Sequence, residues 1–350
     1  MPPQMTPELR TGPQEGVGLS LSGGGYRAML FHTGALWRLC EVGWLPRIDR
    51  ISSVSGGSIV AAVLAVNWRN LTPGGVTASQ EYASQVVEPV RRLARHTIDW
   101  QSTLLGLVPF ANPSAAIARA YNRYLFNGRV PTLQDLPDRP RFVINATNLQ
   151  SGAVWRFSKP YMRDWRVGEI SRPKLALSTA VAASSAFPPF LSPLYLPLVP
   201  TDFRPATGGD LQRRPYTRRV ILTDGGVYDN LGLETVWKRY TTVLIGDGGQ
   251  KLKPRPRPSV NWFRQLLRIR DIADDQTRSL RKRIAIEYFE RRQTLHGWHT
   301  TLCWGQRHVA QKVDGSIGDY HTGSTAEIGA GSHSSSRRRA RVKPLRRLRA

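Results

Sequence analysis

The stretch that decides the fold is residues 48–62, IDRISSVSGGSIVAA. Its β-branched start predicts a strand, two glycines follow, and the small and apolar residues after them predict a helix. A tight strand-to-helix turn is where many α/β enzymes hold a nucleophile, in the pattern G-x-S-x-G. Here Ser55 is central and Gly57 is last, but Ser53 replaces the first glycine. Taken alone, this stretch fits either a nucleophilic serine or an ordinary turn.

A second unit of the same kind precedes it. Residues 17–22, VGLSLS, predict a strand, and a helical pattern of apolar residues follows from residue 27. Between them lie Gly23, Gly24 and Gly25, whose N–H groups can converge on a phosphate or a developing oxyanion at the helix N-terminus. A dinucleotide site is the weaker reading because no acidic residue ends the next predicted strand. The chain also contains no G-x-x-x-x-G-K-[ST] motif, which excludes a P-loop enzyme.

Two strand–glycine–helix units near the start favour an α/β fold, a sandwich with a largely parallel sheet. Further along, the pattern predicts helices at 79–96 and 113–126, a strand–turn–strand ribbon at 141–158, strands ending at Asp224 and Asp247, and a charged amphipathic helix near 261–293. Beyond about residue 295 no period is apparent, and the sequence ends in a basic tail. We expect that tail to be disordered.

An uncharged window from residue 175 to 201 is long enough to span a bilayer. It contains five prolines, which break helices, so we expect a buried helix followed by an extended apolar loop and no transmembrane segment. The proline-rich part, 187–200, fits either an ordinary core loop or a surface that docks on a membrane.

Composition and cysteine content indicate the cellular compartment and whether a metal or disulfide is expected. The 350 residues are 40% apolar, enough for a sizeable core. Cys40 and Cys303 are far apart and lack metal-ligand spacing, so neither a disulfide framework nor a zinc site is expected. No secretory signal is visible at the N-terminus. These features predict a cytoplasmic protein without metal or cofactor, in peripheral contact with the membrane at most.

The formal net charge is +25, and the last twenty residues alone hold eight Lys/Arg and no acid. A surface this positive attracts nucleic acid or anionic lipid, or is simply solvated. No nucleic-acid recognition module is recognisable, so nucleic acid is not the expected partner.

Acyl transfer by a serine requires a base. The late histidines follow no strand-to-loop junction, and His32 lies on an apolar helix, where a core role is expected. Asp224 instead ends a predicted strand before two glycines, where α/β enzymes place functional groups. Asp247 repeats that Asp-Gly-Gly pattern, so spacing alone leaves both carboxylates open.

Four motifs, in order, resemble those of patatin-like phospholipases: SGGGYR at 22–27, SVSGGS at 53–58, ASSAFPP at 183–189 and DGGVYDN at 224–230. The resemblance implies a three-layer α/β/α sandwich and a catalytic dyad without histidine. By position it assigns the nucleophile to Ser55, the base to Asp224 and the oxyanion hole to Gly23, Gly24 and Gly25. Arg27 and Gly57 are supporting candidates. Asp224 is preferred over Asp247 because VYDN follows it.

Three positions depart from the family pattern: Ser22 replaces an acidic residue, Ala28 replaces a glycine, and Ser53 replaces the first glycine of the turn. None removes a reacting group. The expected organisation is a leader at 1–16, a patatin-like acyl hydrolase domain at 17–293 and a poorly ordered basic region at 294–350.

The function implied by the resemblance is a serine lipid acyl hydrolase of the phospholipase A type, acting on membrane lipid esters without calcium. Two alternatives stay open: a general esterase or thioesterase using the same dyad, and a basic binding protein whose serine site is idle.

Overall fold

The computed structural model describes residues 13–71, 75–96, 113–249 and 252–296. Within them, nine strands form one sheet: β1 (Gln14–Leu21), β2 (Ile48–Val54), β3 (Arg141–Asn148), β4 (Val154–Phe157), β5 (Tyr161–Asp164), β6 (Gly168–Ser171), β7 (Leu194–Pro197), β8 (Arg219–Asp224) and β9 (Tyr240–Gly246). The α-helices are α1 (Gly25–Glu41), α2 (Gly56–Asn67), α3 (Gly75–Tyr82), α4 (Glu88–Arg95), α5 (Pro113–Tyr124), α6 (Leu177–Ser184), α7 (Gly226–Asp229) and α8 (Trp262–His296).

Short helical segments connect several of these elements. A π-helical turn at Ala83–Val87 joins α3 to α4, and 3-10 turns occupy Leu45–Arg47, Trp68–Asn70, Leu133–Asp135, Pro200–Asp202 and Leu233–Thr235.

The sheet has a parallel centre and an antiparallel side. Strands β3, β2, β1 and β9 are neighbours in that order and run parallel. Strands β4, β5 and β6 extend it beyond β3 as an antiparallel meander. The predicted parallel α/β sheet is confirmed. The sequence did not predict β5, β6 or β7. The connections β4–β5 and β5–β6 have three residues each, which permits only antiparallel pairing there.

Hydrophobic side chains cover both faces of the sheet. The larger core contains α2, which is buried from Gly56 to Ala65, together with residues of α1, α6 and the central strands. The smaller core joins β9 to Ala285 and Phe289 of α8. Since Leu244 of β9 belongs to the larger core and Val243 to the smaller one, the sheet separates two layers of helices. This is the predicted three-layer sandwich.

The turn between β2 and α2 brings backbones into very close contact. A Cβ atom at Gly56 would lie 2.3 Å from the carbonyl oxygen of Gly25, and one at Gly57 would lie 2.6 Å from that of Leu21. Real Cβ atoms do not approach oxygen so closely, so both positions require glycine. The first turn of α2 is therefore packed directly onto the β1–α1 connection.

Strand β8 pairs with the C-terminal part of β3, whereas β2 pairs with the residues of β3 before it. Val54, the last residue of β2, pairs with Asn145 of β3. The next residue of β3, Ala146, pairs with Asp224, the last residue of β8. This register places Asp224 next in line after the end of β2, where Ser55 follows.

The uncharged window from residue 175 to 201 folds as a buried helix, α6, followed by a loop and the short strand β7. The predicted buried helix is confirmed, and part of the predicted extended loop is β7. In the described part of the chain, no helix has the length and hydropathy needed to cross a bilayer.

The predictions for the two ends of the chain can be compared with the structure only in part. Strand β1 begins at Gln14, within the stretch predicted as leader, and α8 continues to His296. Residues 1–12 and 297–350 lie outside the described residues, so the predictions for the basic tail and Cys303 stay predictions.

The close approach at the turn predicts opposite outcomes for two glycine substitutions. Gly57→Ala should lower the free energy of unfolding by about 3 kcal/mol, because its new methyl group meets the carbonyl oxygens of Leu21 and Ser22. Gly34→Ala, on the exposed side of α1 with no atom within 4 Å of the new Cβ, should raise it by about 1 kcal/mol. Urea unfolding measures both, and equal effects would contradict the packing described here.

Candidate active site

Ser55 stands between β2 and α2 in a strained conformation. Its φ of 51° and ψ of −120° are unusual for a residue with a side chain, and such strain costs about 1–3 kcal/mol. It is the N-cap of α2, and only 7% of its surface is exposed. A serine held in this way at a strand-to-helix turn has the geometry of a nucleophile elbow.

Hydrogen bonds from neighbouring elements hold this strained turn. The backbone N–H of Ser55 donates to Oγ of Ser184, 2.9 Å away at the end of α6. Ser184 in turn donates to the carbonyl oxygen of Asn145 at 2.7 Å. The turn is thus tied to both α6 and β3.

Ser53, which replaces the first glycine of the motif, is accommodated within the same network. It is fully buried, and its Oγ lies 3.0 Å from Oγ of Ser58 and 3.4 Å from the carbonyl oxygen of Val143. Its hydroxyl group therefore has polar partners inside the core, and the departure from the motif leaves the turn intact.

The glycine loop, Gly23–Gly25, lies between β1 and α1. Gly24 and Gly25 have φ angles of 138° and 60°, which residues with side chains rarely adopt. Gly25 is the first residue of α1 and Gly24 is its N-cap, so their N–H groups have no acceptor within the helix. Gly23 differs, because its N–H donates to the carbonyl oxygen of Asn230 at 2.9 Å. Two of the three predicted donors are thus available to an anion.

Gly23 nonetheless lies close to the candidate nucleophile. A Cβ atom at this position would be 3.2 Å from Cβ of Ser55 and 2.2 Å from Oδ1 of Asn230. Its place in the loop is explained by this close packing, and a side chain there would separate the loop from Ser55.

His32 supports the glycine loop from inside the core. It is fully buried, and its Nε2 donates to the carbonyl oxygen of Ser22 at 3.0 Å. Burial lowers the pKa of His32 to about 4, so the ring is neutral at physiological pH. Oγ of Ser22 also accepts the N–H of Gly248 at 2.9 Å. The predicted core role of His32 is confirmed, and Ser22 links the loop to the end of β9.

Asp224 is buried with one carboxylate oxygen unbonded. Its Oδ1 accepts the N–H of Gly226 at 2.7 Å, whereas Oδ2 has no hydrogen-bond partner among the described residues. Burial raises the pKa of Asp224 to about 6, although the Gly226 N–H and the Ser55 hydroxyl favour its charged form. The site therefore pairs a strained serine with a neighbouring carboxylate that is more basic than usual.

Asp247, in the second Asp-Gly-Gly turn, has a different environment. It forms ion pairs with Arg278, at 2.8 Å, and with Lys282, both on α8. Burial alone would raise the pKa of Asp247, but these two cations together hold it below its ordinary value. A carboxylate neutralised in this way is a weak base, and the structure assigns Asp247 to the attachment of α8.

Helix α8 also contacts the site through Asp274. Nδ2 of Asn230 donates to both carboxylate oxygens of Asp274, at 2.9 and 3.0 Å. The backbone carbonyl of the same Asn230 holds Gly23, so α8 supports the glycine loop. The negative charge of Asp274 adds to the effect of burial in raising the pKa of Asp224, and Arg270 on the preceding turn of α8 opposes it.

Arg27, the late histidines and a metal site were also considered from the sequence. Arg27 is exposed on the first turn of α1 and forms no ion pair with any described residue. The late histidines other than His296 lie outside the described residues, so their predicted absence from the site stays a prediction. The part of the chain that the structure describes contains no cluster of three His, Cys, Asp or Glu side chains suited to a metal ion.

Sequence reasoning missed three side chains that organise the site. Ser184 and Asn230 lie within the motifs ASSAFPP and DGGVYDN, so their motif membership was an available signal. Asp274 has no such signal, because it is one acid among many charges on an amphipathic helix.

The environments of the two carboxylates predict opposite pH effects on stability. Because the folded-state pKa of Asp224 is raised from 3.8 to about 6, its charge destabilises the fold as pH rises through that range. Asp224→Asn should therefore be similar to the parent near pH 4 and more stable by about 3 kcal/mol near pH 8. Urea unfolding at both pH values measures this difference.

Asp247→Asn is the matched control. The pKa of Asp247 is lowered, so its ion pairs stabilise the fold at neutral pH and this stabilisation is lost on acidification. This variant should be less stable than the parent near pH 8. The same sign of effect for both substitutions would contradict the assignment of their environments.

Comparison with known proteins agrees with these motifs. The model of the family described as patatin-like phospholipase matches residues 19–237. The chain is 28% identical over 221 residues to triacylglycerol lipase 4 of Saccharomyces cerevisiae, a match that covers 61% of this chain and 22% of the yeast protein. The chain thus spans about a fifth of the length of that relative.

Solved structures give more distant matches. Human GIVD cytosolic phospholipase A2 matches with a TM-score of 0.44 and 16% identity, over 70% of this chain and 47% of the human one. VipD from Legionella pneumophila matches with a TM-score of 0.32 and 16% identity, over 69% and 51% of the two chains. The family match spans more than half of the chain and contains Ser55, Asp224 and the glycine loop. The chain therefore belongs to the patatin-like phospholipase family.

Proposed function

We propose that this protein is a serine lipid acyl hydrolase that cleaves fatty-acyl esters with a Ser55–Asp224 dyad. The observation that carries the proposal is the unbonded Oδ2 of Asp224, buried beside a serine held at a strained turn. An unsatisfied buried carboxylate oxygen is costly, and a catalytic role explains why it is retained. Membership of the patatin-like phospholipase family supports the same chemistry.

In the first half of the reaction, Oγ of Ser55 attacks the ester carbonyl carbon and transfers its proton to Asp224. The carbonyl oxygen becomes an oxyanion, for which the N–H groups of Gly24 and Gly25 are the candidate donors. Collapse of this tetrahedral intermediate breaks the ester bond, and Asp224 returns the proton to the departing alcohol. An acyl-enzyme on Ser55 remains.

In the second half, Asp224 takes a proton from water while the water oxygen attacks the acyl carbon. A second oxyanion forms at the same donors. Its collapse releases the fatty acid, and Oγ of Ser55 leaves with the proton held by Asp224. The dyad is thereby regenerated, with no net change in its protons.

The raised pKa of Asp224 suits this cycle. An ordinary aspartate, with a pKa near 4, is a poor base towards a hydroxyl group. A pKa of about 6 makes Asp224 a stronger base while leaving it mostly ionised at neutral pH. The two available N–H groups of the glycine loop then supply the remaining stabilisation, since one such donor contributes about 3–4 kcal/mol in a serine protease.

Membrane phospholipid is the proposed substrate class, with peripheral contact to an anionic bilayer. The formal charge of +25 favours contact with an anionic bilayer. Membership of the patatin-like phospholipase family supports phospholipid as the substrate class. An esterase or thioesterase acting on soluble substrates with the same dyad is the alternative. Parallel assays on phospholipid vesicles and on a soluble short-chain ester separate the two, because only a lipid hydrolase should prefer the vesicles.

Fluorophosphonate labelling tests the dyad directly. The parent should be labelled at Ser55, and Ser55→Ala should abolish labelling because it removes the nucleophile. Asp224→Asn should slow labelling and ester hydrolysis by about a thousandfold or more, since it removes the base. Mass spectrometry of the labelled peptide identifies the modified residue.

Asp247→Asn, compared at equal folded concentration, is the control and should keep labelling within a few fold of the parent. Persistent labelling of Ser55→Ala would sink the proposal. So would loss of labelling in folded Asp247→Asn while Asp224→Asn keeps it.

The pH dependence of hydrolysis tests Asp224 as the base. Activity should fall below about pH 6, because protonated Asp224 cannot accept the serine proton. Asp274→Asn removes a negative charge that raises the pKa of Asp224, so the acid limb should move to lower pH. Initial rates from about pH 4 to pH 8 measure both, with Asp275→Asn, one residue along α8, as control. An acid limb that does not move in Asp274→Asn would contradict this coupling.

A further inference from the structure

The start of α8 and the linker before it carry an unusual surface. From residue 252 to 270 the chain contains six Lys or Arg residues and no acid. Four apolar side chains in the same stretch are largely exposed: Val260 at 94%, Trp262 at 73%, Leu266 at 55% and Ile269 at 61%. Together with Lys253, Arg255, Arg257 and Arg264, we call them the basic-apolar face.

The helical part of this face is one side of an amphipathic helix. Asn261 caps α8, since its Oδ1 accepts the N–H of Arg264 at 3.1 Å. Trp262, Leu266 and Ile269 follow at the spacing i, i+4 and i+7, which places them on one side. The adjacent side faces the protein, where the Phe263 ring lies 6.3 Å from that of Phe190. The Trp262 ring contacts the Phe263 ring at 5.8 Å, whereas more than half of the surface of Leu266 and of Ile269 stays exposed.

The cations of the face are free to interact. Lys253, Arg255, Arg257 and Arg264 form no ion pair with any of the described residues. An amphipathic helix with exposed Trp and Leu beside unpaired Lys and Arg has the composition of elements that lie in the interface of an anionic bilayer. The apolar side chains enter the acyl boundary while the cations contact lipid phosphates.

The face is physically connected to the candidate active site. One helical turn beyond Leu266, the guanidinium of Arg270 lies 4.1 Å from the centre of the Phe187 ring and donates to the carbonyl oxygen of Pro188 at 3.3 Å. One further turn along, Asp274 holds Asn230 beside the glycine loop. Docking of the face would therefore bring lipid close to Ser55.

Charge disfavours two other occupants of this face. A second copy that docked through the same face would bring four further cations against it without an acid, which repels. The last twenty residues, with eight cations and no acid, are disfavoured for the same reason. Nucleic acid would match the cations but would leave Val260, Leu266 and Ile269 without apolar contacts.

We infer that the basic-apolar face is the surface through which this protein docks on an anionic lipid bilayer, next to the site where its lipid substrate is cleaved. This inference rests on the proposed function for its substrate and adds the element that engages the membrane.

Vesicle co-sedimentation of the full chain carrying Ser55→Ala tests the inference, because this variant binds without hydrolysis. Vesicles of phosphatidylcholine with about 30 mol % phosphatidylglycerol should bind the chain, and phosphatidylcholine alone should bind it at least about tenfold more weakly. Adding Leu266→Asp and Ile269→Asp should reduce binding to the anionic vesicles by about tenfold or more. Replacing Arg255, Arg257 and Arg264 by Gln should weaken that binding by about fivefold per charge.

Val42→Asp is the matched control, because Val42 is an exposed apolar residue outside the basic-apolar face. It lies just after the end of α1. It should leave vesicle binding unchanged. Circular dichroism and urea unfolding verify that each variant is folded. Hydrolysis of a soluble short-chain ester by the chain with Ser55 intact tests the proposed function separately, so failure of docking and failure of catalysis are distinguishable.

Several outcomes would overturn the inference. Equal vesicle binding by the parent and by Leu266→Asp/Ile269→Asp would show that the face is not the docking surface. A concentration-dependent dimer that this double variant abolishes would identify a second copy as the occupant. Hydrogen exchange without vesicles tests whether a segment of the chain itself covers the face. Protection of the start of α8 that exceeds its local helix stability, and that the double variant loses, would identify such a segment as the occupant.

Discussion

The close packing of α2 against the β1–α1 connection is the constraint on which the rest of the site depends. Gly56 and Gly57 leave room for the carbonyl oxygens of Gly25, Leu21 and Ser22 to approach the helix. Because the first turn of α2 is held there, Ser55 is forced into its strained conformation beside the glycine loop. The candidate nucleophile Ser55 and the candidate oxyanion donors therefore lie on the two sides of one backbone contact.

Charged residues that are distant in the sequence distinguish two turns with the same local sequence. Asp224 and Asp247 each end a strand and precede two glycines, yet the pKa of the first is raised and that of the second is lowered. Both are buried, so burial cannot account for the difference. Arg278 and Lys282 of α8 neutralise Asp247, whereas Asp224 has the negatively charged Asp274 among its neighbours.

This contrast marks how far the sequence could predict the molecule. The parallel centre of the sheet and the buried α2 follow from local patterns, since long apolar runs and glycine turns are strong signals. Strands β5 and β6 have four residues each and include Arg163 and a buried Asp164, so their alternation is weak. The bond from the Ser53 hydroxyl to the carbonyl oxygen of Val143 was also not predictable, because Val143 lies on β3 and is close to Ser53 only in the folded chain.

Helix α8 changes what counts as the folding unit of this protein. The region matched by the family ends at residue 237, yet residues of α8 beyond it pair with Asp247, Asn230 and Asp229. A fragment cut at the family boundary would lose β9 and leave Asn230 and the buried Asp229 without these partners. The region that the family model matches is thus shorter than the stretch of chain that these contacts join, and an experimenter choosing a domain boundary should follow the ion pairs rather than the motifs.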